Sequence, residues 1–112
     1  MSAQMLKGHL DGMLLAALEA GPRHGYAVME ALRAGSGGRF DLPTGTVYPA
    51  LRRLDRAGLV HGDWSEAGGR RRRVYQLTAA GRRTLAAERG DWRNFSAAVT
   101  ALLEPAARPV AP

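Results

Sequence analysis

Cysteine is absent from this 112-residue chain, and lysine occurs once, at Lys7, among sixteen basic residues. Without cysteine the chain has no disulfide, no thiolate metal ligand and no cysteine nucleophile. The longest apolar run, Met13 to Leu18, is far shorter than the ~20 residues needed to cross a bilayer, and the N-terminus lacks a signal-peptide layout. We therefore expect a single cytoplasmic globular domain.

Patterns typical of enzymes are also missing. The three histidines are scattered at His9, His24 and His61, no spacing such as His-Glu-x-x-His occurs, and no pair of carboxylates stands out. The glycine run over residues 35–38 lacks the Lys-Ser/Thr pair of a phosphate-binding loop. The sequence predicts a protein that is not an enzyme and has no metal or cofactor.

Positive charge is what the chain has in excess, and it is unevenly distributed. The net charge is +6, and fifteen of the sixteen basic residues are arginine. Nine arginines and three acidic residues lie between Thr44 and Arg83, so this segment alone accounts for the net charge. The total by itself fits DNA, RNA, an anionic membrane surface or an acidic protein as partner.

Apolar residues spaced three and four apart predict two short helices in the first third of the chain. Gly21-Pro22 ends the first helix, and the glycine run over residues 35–38 ends the second. Their apolar positions are Leu10, Met13, Leu14, Ala17 and Leu18 in the first helix, and Val28, Ala31 and Leu32 in the second.

A third helix is predicted from Thr44 to Ala57, with Gly58 following in a position that needs a left-handed residue. Pro49 constrains its start, because with Thr44 as N-cap the proline ring would meet the carbonyl of Gly45. We expect the helix either to begin near Thr46 or to have a bent first turn. Its inner side consists of Val47, Ala50, Leu51 and Leu54.

β-Forming residues predict a hairpin after the third helix and a long helix after the hairpin. The strands run from Leu59 to Glu66 and from Arg72 to Leu77, joined by the glycine-containing segment 67–70. Trp64, on the first strand, is expected to pack in the core. Thr78 is the predicted N-cap of the long helix, which ends before Pro105.

Three helices followed by a two-stranded wing constitute a winged helix-turn-helix. The predicted fold class is therefore mainly α with a small β-hairpin, plus a long C-terminal dimerisation helix. We expect a DNA-binding domain over residues 1–78, the dimerisation helix over residues 79–104 and a disordered tail over residues 105–112.

The outer side of the third helix is cationic and rich in hydrogen-bonding groups. A helix of about 12 residues fits the major groove, where arginine forms bidentate bonds to guanine and hydroxyl groups bind phosphate. A charged outer face can also be no more than a solvated surface. The predicted DNA contacts, with those of the helix N-terminus nearest the bases, are Thr44, Thr46, Tyr48, Pro49, Arg52, Arg53 and Arg56.

Four consecutive arginines, Arg70, Arg71, Arg72 and Arg73, are predicted to lie at the hairpin tip. Like charges repel there and add nothing to a core, so a phosphate partner explains them better than a solubilising role or a general polyanion patch. Phosphate binding by this tip would release counterions, and affinity would fall with salt with a slope of ~0.9 per phosphate contacted.

The last helix has an apolar stripe that one small core cannot bury alone. Pairing with a second copy would bury it and place the two recognition helices about one helical turn of DNA apart, which predicts a palindromic operator. The alternative is that this helix folds back on its own domain. The stripe has a heptad-like spacing and consists of Leu85, Trp92, Phe95, Val99 and Leu102.

Four short blocks of the sequence have an order and spacing found together in one known family. They are Pro22-Arg23-His24-Gly25-Tyr26, Gly45-Thr46-Val47-Tyr48-Pro49-Ala50-Leu51-Arg52-Arg53-Leu54, Gly58-Leu59-Val60 and Tyr75-Gln76-Leu77-Thr78-Ala79-Ala80-Gly81. Across about residues 8–104 the chain resembles the PadR family of bacterial transcriptional regulators. The resemblance implies a homodimeric repressor with the third helix in the major groove, the wing on the backbone or minor groove, and the last helix at the dimer interface. It also implies that Tyr26, Thr46, Tyr48 and Arg52 contact DNA, together with the wing arginines.

The resemblance also bears on effectors. Some short-tailed members bind planar aromatic molecules at the dimer interface near a tryptophan of the last helix, which makes Trp92 the candidate ligand residue. An aromatic residue at this heptad position can equally be simple dimer core. The chain departs from the commoner pattern at Ala27, where an acidic residue often follows Gly-Tyr, and in its single C-terminal helix, which puts the effector mode of long-tailed members in doubt.

Two classes of function follow. The first is a sequence-specific regulator of transcription that binds double-stranded DNA as a homodimeric repressor, in the cytoplasm and associated with the nucleoid. The alternative is a winged-helix module that binds protein or RNA, with its arginines facing an acidic partner. Sequence-selective binding of duplex DNA distinguishes the two.

Overall fold

The computed structural model describes residue 6 and residues 8–105. In this part of the chain, four α-helices, three β-strands and one turn of 3-10 helix follow one another. The predicted fold class is confirmed, whereas the predicted tail lies outside the described residues except for residue 105. In chain order the elements are α1 (Leu10–Ala17), β1 (Arg23–His24), α2 (Gly25–Gly35), α3 (Thr44–Arg56), β2 (Val60–Ser65), the 3-10 turn (Ala67–Gly69), β3 (Arg72–Leu77) and α4 (Ala79–Leu103).

The first three helices bury the apolar sides that their spacing predicts. Leu14 of α1, Val28 of α2 and Leu51 of α3 are completely enclosed. They join Val60 and Leu77 of the strands in one hydrophobic core. Because burial of each such side chain contributes roughly 1.5–3 kcal/mol, this core holds the outer face of α3 in a fixed orientation.

The start of α3 differs from the sequence-based expectation. Pro43 is the N-cap, and its carbonyl accepts hydrogen bonds from the backbone N–H groups of Thr46 and Val47 at 3.0 and 3.1 Å. The helix therefore does not begin near Thr46, and the first of the two predicted alternatives is wrong. Pro49 lies inside the helix and cannot donate to Gly45, but both residues are exposed, so water can bind the freed carbonyl.

The end of α3 is as predicted. Gly58 has a φ of +76°, the left-handed conformation that glycine adopts without strain. Its N–H donates to the carbonyl of Asp55, and the N–H of Leu59 donates to the carbonyl of Leu54, both at 3.0 Å. This Schellman pattern ends α3 and leads the chain directly into β2.

The wing consists of β2 and β3, and β1 extends it to an antiparallel sheet with the order β1-β3-β2. The sequence did not predict β1, because two residues are too few for a periodic signal. Side chains of directly paired residues share a face of the sheet. From the core to the tip, the pairs on the face towards α3 are Val60–Leu77, Gly62–Tyr75 and Trp64–Arg73.

The first turns of α4 pack against the rest of the domain. Thr78 is the N-cap, as predicted, and its hydroxyl accepts a hydrogen bond from the N–H of Gly81 at 3.0 Å. Gly81 lies so close to the carbonyl of Leu59 that a Cβ would overlap it. Leu85 is only 3% exposed and belongs to the core of its own chain. Its predicted place in the dimer interface is therefore wrong.

The remainder of α4 extends away from the domain. An ion pair between Arg89 and Glu19, with N–O distances of 2.7 and 2.8 Å, joins it to the chain just after α1. Within the described residues 86–105, no side chain is buried. The alternative in which the apolar stripe folds back on its own domain thus holds for Leu85 and in part for Trp92, whose ring lies against His9, whereas Phe95 and Leu102 are exposed.

Candidate nucleic-acid interface

A groove of about 900 Å³ lies between the outer face of α3, the wing and the start of α2. Six arginines line it, with Asp55 as the one lining carboxylate, and Asp55 is itself paired with Arg73. The groove is therefore strongly cationic. The lining residues are His24, Gly25, Tyr26, Tyr48, Arg52, Asp55, Arg56, Trp64, Arg70, Arg71, Arg72, Arg73 and Tyr75.

Residues of α3 form one wall of this groove. Tyr48, Arg52 and Arg56 follow one another at intervals of four, which places them on one side of the helix, and all three are exposed. Three other predicted contacts lie outside the groove lining: Thr44 is exposed and Thr46 half-buried at the helix start, and Pro49 is exposed next to Tyr48. The structure thus brings the predicted arginines together with Tyr48 and leaves the threonines at the helix start.

Tyr48 is held in place by a glycine that sequence reasoning missed. Its ring packs on Gly25, the first residue of α2, so closely that a Cβ on Gly25 would overlap the ring. Tyr26, the next residue, is 58% exposed and stacks on His24 with ring centroids 6.5 Å apart. The two residues therefore have different roles: Gly25 provides space for the Tyr48 ring, and Tyr26 projects into the groove.

Arg53 differs from the other arginines of α3 in having an acidic partner. Its guanidinium donates two hydrogen bonds to the carboxylate of Asp11, at 2.6 and 2.8 Å, and so joins α3 to α1. The hydrogen bonds to Asp11 raise the pKa of Arg53. Arg53 is not among the residues that line the groove. No local signal reveals this pair, because the two residues are far apart in the sequence.

The four consecutive arginines do not all lie at the hairpin tip. Arg70 and Arg71 lie in the turn, whereas Arg72 and Arg73 are the first residues of β3. The guanidinium of Arg73 donates to the carboxylate of Asp55 at 2.8 Å, and this hydrogen bond raises the pKa of Arg73. The predicted cluster of four arginines without an acidic partner is therefore corrected to three: Arg70, Arg71 and Arg72. Of these, Arg72 lies next to His24.

His24 connects α2 with the wing. Its Nδ1 is 3.3 Å from the backbone N–H of Ala27, and its Nε2 is 3.0 Å from the guanidinium of Arg72. A neutral imidazole has one acceptor nitrogen, so it can accept one of these two bonds at a time. Partial burial and the positive charge of Arg72 lower the pKa of His24, which favours the neutral ring.

Trp64 is exposed, contrary to the expectation that it packs in the core. Strand alternation does place it on the inner face of the wing, but it lies beyond the end of the core and is 57% exposed. The guanidinium carbon of Arg71 lies 4.5 Å from the ring centroid, within the range of a cation–π interaction. The sequence pattern therefore placed Trp64 on the correct face of the wing, but the residue lines the groove instead of packing in the core.

Comparison with known proteins identifies the family. Residues 14–87 match the family model described as the Transcriptional regulator PadR-like family. The chain belongs to this family. The family is one of transcriptional regulators with a winged-helix DNA-binding fold rather than of enzymes, so the resemblance and the predicted role in regulating transcription are confirmed.

Individual relatives agree with this assignment. Transcriptional regulator Rv3488 of Mycobacterium tuberculosis is 39% identical over 67 residues, which cover 60% of this chain and 50% of that protein. A 37.1 kDa protein in transposon TN4556 of Streptomyces fradiae is 40% identical over 87 residues, covering 78% of this chain and 24% of that protein. The chain thus spans half or less of the length of these two curated relatives.

A solved structure matches along nearly its whole length. The crystal structure of a PadR-like transcriptional regulator from Bacillus cereus superposes with a TM-score of 0.79 at 28% identity. The superposition covers 91% of this chain and 98% of that chain. Because the match extends well beyond residues 14–87, the long α4 helix is part of the shared architecture.

The PadR-like regulator has a second notable surface on α4. Trp92 and Phe95 are 52% and 58% exposed, and their ring centroids lie 6.2 Å apart. The rings of His9 and Trp92 form a T-shaped pair with centroids 5.2 Å apart. Leu102 is 82% exposed, and Val99, which lies between Phe95 and Leu102 on the helix, is half-buried. We call these four residues the α4 stripe: Trp92, Phe95, Val99 and Leu102.

The part of the chain that the structure describes has neither a metal site nor a membrane-spanning helix. Over residue 6 and residues 8–105, no group of three or more histidine or acidic side chains is placed to hold a metal ion. Over the same residues, no helix combines the length and the apolar character needed to span a membrane.

Proposed function

We propose that this PadR-like regulator binds palindromic duplex DNA as a homodimer and represses transcription, in the cytoplasm where its DNA lies. The observation that supports this most directly is the groove, where six arginines from a recognition helix and a wing surround a single, already paired carboxylate. Duplex DNA has one negative charge per about 1.7 Å of helix axis, which suits such a cationic surface.

The outer face of α3 is proposed to enter the major groove. Thr44, Thr46, Tyr48 and Pro49 would lie nearest the bases, because the N-terminal residues of a recognition helix face the base edges. Tyr26, at the start of α2, would contact DNA from beside α3. Further along the same face, Arg52 and Arg56 are exposed and can reach guanine or phosphate. Arg53 is excluded from direct contact in this proposal because its guanidinium is occupied by Asp11.

The wing is proposed to bind the phosphate backbone through Arg70, Arg71 and Arg72. All three are exposed, and the positively charged guanidinium of Arg71 is pre-oriented by its position over Trp64. Pre-orientation lowers the entropy cost of binding, because fewer side-chain rotamers are lost when the phosphate arrives.

The α4 stripe is proposed to form the dimer interface. Its aromatic and leucine side chains are the largest exposed apolar groups on that helix outside Leu103. Contiguous apolar surface of this kind marks an interaction site. A two-fold dimer would place two recognition helices about 34–36 Å apart, which matches half-sites one helical turn apart.

A small planar effector at Trp92 is a second candidate feature of the same interface. The indole is half-exposed between His9 and Phe95, so one of its surfaces is free to stack on an aromatic molecule. Such a molecule would quench tryptophan emission and weaken DNA binding. Quenching that leaves DNA affinity unchanged would separate mere binding from regulation.

The deciding experiment is binding of the purified protein to labelled duplex from the region upstream of its own gene. Scrambled duplex and the same sequence as double-stranded RNA serve as competitors, and the measurement is repeated across a salt series. Selective binding to an inverted repeat supports the proposed repressor. Equal affinity for all three nucleic acids at every salt concentration would contradict it and favour the interaction-module alternative, or an operator elsewhere.

A further inference from the structure

The last of the four consecutive arginines has a different environment from the other three. In β3, Arg72 and Arg73 point to opposite faces of the sheet, as neighbouring strand residues do. Arg73 points inwards, and its guanidinium donates to Asp55 on α3 at 2.8 Å. The side chain of Asp55 is only 22% exposed, so this ion pair lies between the recognition helix and the wing rather than in free solvent.

The surroundings of Arg73 are shaped to hold its side chain. Gly62, which pairs with Tyr75 and lies diagonally from Arg73, leaves room for it. A Cβ there would lie 2.6 Å from Arg73 Nε, 2.9 Å from the Tyr75 ring and 3.1 Å from the Asp55 carboxylate. The guanidinium carbon also lies 5.7 Å from the Trp64 ring and 5.9 Å from the Tyr75 ring. In the described part of the chain, Nε is a buried nitrogen without a hydrogen-bond partner, so the inner part of the guanidinium is enclosed although the side chain as a whole is 37% exposed.

The position of Asp55 adds an electrostatic reason for this contact. Asp55 lies in the last turn of α3, where the partial negative charge of the helix C-terminus disfavours a carboxylate. A cation at this point offsets both negative charges. Removing Arg73 would leave a mostly enclosed carboxylate beside the helix end, which favours separation of the two elements.

We propose that Arg73 is a positioning residue that fixes the wing at a set distance from the recognition helix, and that it does not itself contact phosphate. This inference rests on the proposed function, since the distance between α3 and the wing determines whether both can meet one DNA duplex. It divides the arginine run into three contact residues and one residue that sets the shape of the groove.

Three substitutions remove the Arg73–Asp55 contact in different ways. Arg73→Met keeps most of the side-chain volume without charge, Asp55→Asn removes the partner's charge at constant shape, and Gly62→Ala obstructs the niche while leaving both charges. Arg73→Lys, which can still reach a carboxylate with one donor, is the conservative variant. Gly90→Ala, on α4 where a Cβ meets nothing within 4 Å, is the matched glycine control.

The first measurement is amide hydrogen exchange in the free protein, with no DNA present. Each of the three substitutions should accelerate exchange in peptides from residues 60–77 and leave the core helix α1 unchanged, whereas Gly90→Ala should not affect the wing. Unchanged exchange in the wing for all three variants would overturn the proposal whatever the protein binds.

The second measurement is affinity for the operator and for scrambled duplex across a salt series. Arg73→Met should weaken operator binding about tenfold, the middle of the range for residues coupled in one network. It should preserve the salt slope, whereas Arg71→Met should lower that slope by about 0.9. Arg73→Lys should recover part of the affinity. A slope reduced as much by Arg73→Met as by Arg71→Met would show that Arg73 contacts phosphate and would refute the inference.

The two measurements separate the possible failures. If the wild-type protein bound no duplex selectively, the proposed function would fail, and hydrogen exchange would still decide whether Arg73 positions the wing. If Arg73→Met did not fold, Asp55→Asn would supply both measurements with the smallest change of shape.

Discussion

Replacing Phe95 with glutamate should dissociate the proposed dimer. Phe95 occupies the middle of the α4 stripe, next to Trp92, and is 58% exposed in the single chain. Because no residue is buried within the described residues 86–105, the substitution should leave the fold of the winged domain intact. Its effect should therefore fall on association rather than on folding.

The expected magnitude follows from the exposed area. An aromatic side chain can bury roughly 200 Å², so the 58% of Phe95 that is exposed amounts to roughly 100 Å². At about 25 cal/mol per Å² this is worth about 2.5 kcal/mol per protomer and about 5 kcal/mol per symmetric dimer. If only half that area is buried, about 2.5 kcal/mol is lost, and the dimer dissociation constant should rise about sixtyfold.

Sedimentation equilibrium of the wild type, Phe95→Glu and Asn94→Glu measures this change. Asn94→Glu introduces the same residue one position earlier, about 100° around the helix and off the stripe, so it should dimerise like the wild type. Far-ultraviolet circular dichroism checks that each variant keeps its helices. A wild type that is monomeric, or two variants with equal dissociation constants, would refute the placement of the interface on the α4 stripe.

The remaining predictions concern the groove. Arg52→Ala should lower the ratio of operator to scrambled affinity by about 10- to 100-fold, whereas Arg71→Ala should weaken both duplexes alike, as titrations across a salt series will show. Gly25→Ala should displace the Tyr48 ring, lower the free energy of unfolding by about 1–3 kcal/mol in urea titrations and weaken operator binding; an unchanged midpoint and affinity would contradict the packing. Because the pKa of His24 is lowered from its ordinary value of 6.5, the unfolded chain takes up that proton first, and stability should fall as the pH drops below that value. His24→Asn, which keeps a capping side chain, should show a smaller loss between about pH 7.5 and about pH 5; equal losses would count against this account.

The sequence predicted the features of the fold that depend on short stretches of chain. The end of α3 at Gly58 and the cap at Thr78 follow from the backbone preferences of one or two residues, and both are confirmed. The heptad-like spacing of the last helix correctly grouped its apolar residues but could not separate Leu85 from Phe95. Periodicity specifies which side of a helix is apolar, and the partner that covers each turn depends on where the rest of the chain lies.

The candidate site shows the same division. Spacing alone assigned the arginines of α3 to its outer face. It could not reveal that Arg53 pairs with Asp11, because the two residues are 42 positions apart in the sequence. Trp64 was placed on the correct face of the wing by strand alternation, and its exposure depends on where the core ends. Neither a long-range ion pair nor the edge of a core produces a periodic pattern in the sequence, so neither could be predicted from it.

The run of arginines shows why a charge cluster in sequence need not be one functional unit. Adjacent residues of a strand face opposite sides, so a run that enters β3 is divided by the fold itself between Arg72 and Arg73. Alternation with the buried Tyr75 and Leu77 makes Arg73 the inner residue. Gly62 and Asp55 accommodate it there, since one provides the space and the other the negative charge. A regulator of this family that lacks either residue should therefore have a free fourth cation and a wing less firmly attached to α3. Substituting Gly62 tests this argument without removing a charge of the groove, but its Cβ would also meet the buried Tyr75 ring. Asp55→Asn leaves that ring untouched, so a wing loosened by both substitutions traces the effect to the Arg73–Asp55 contact.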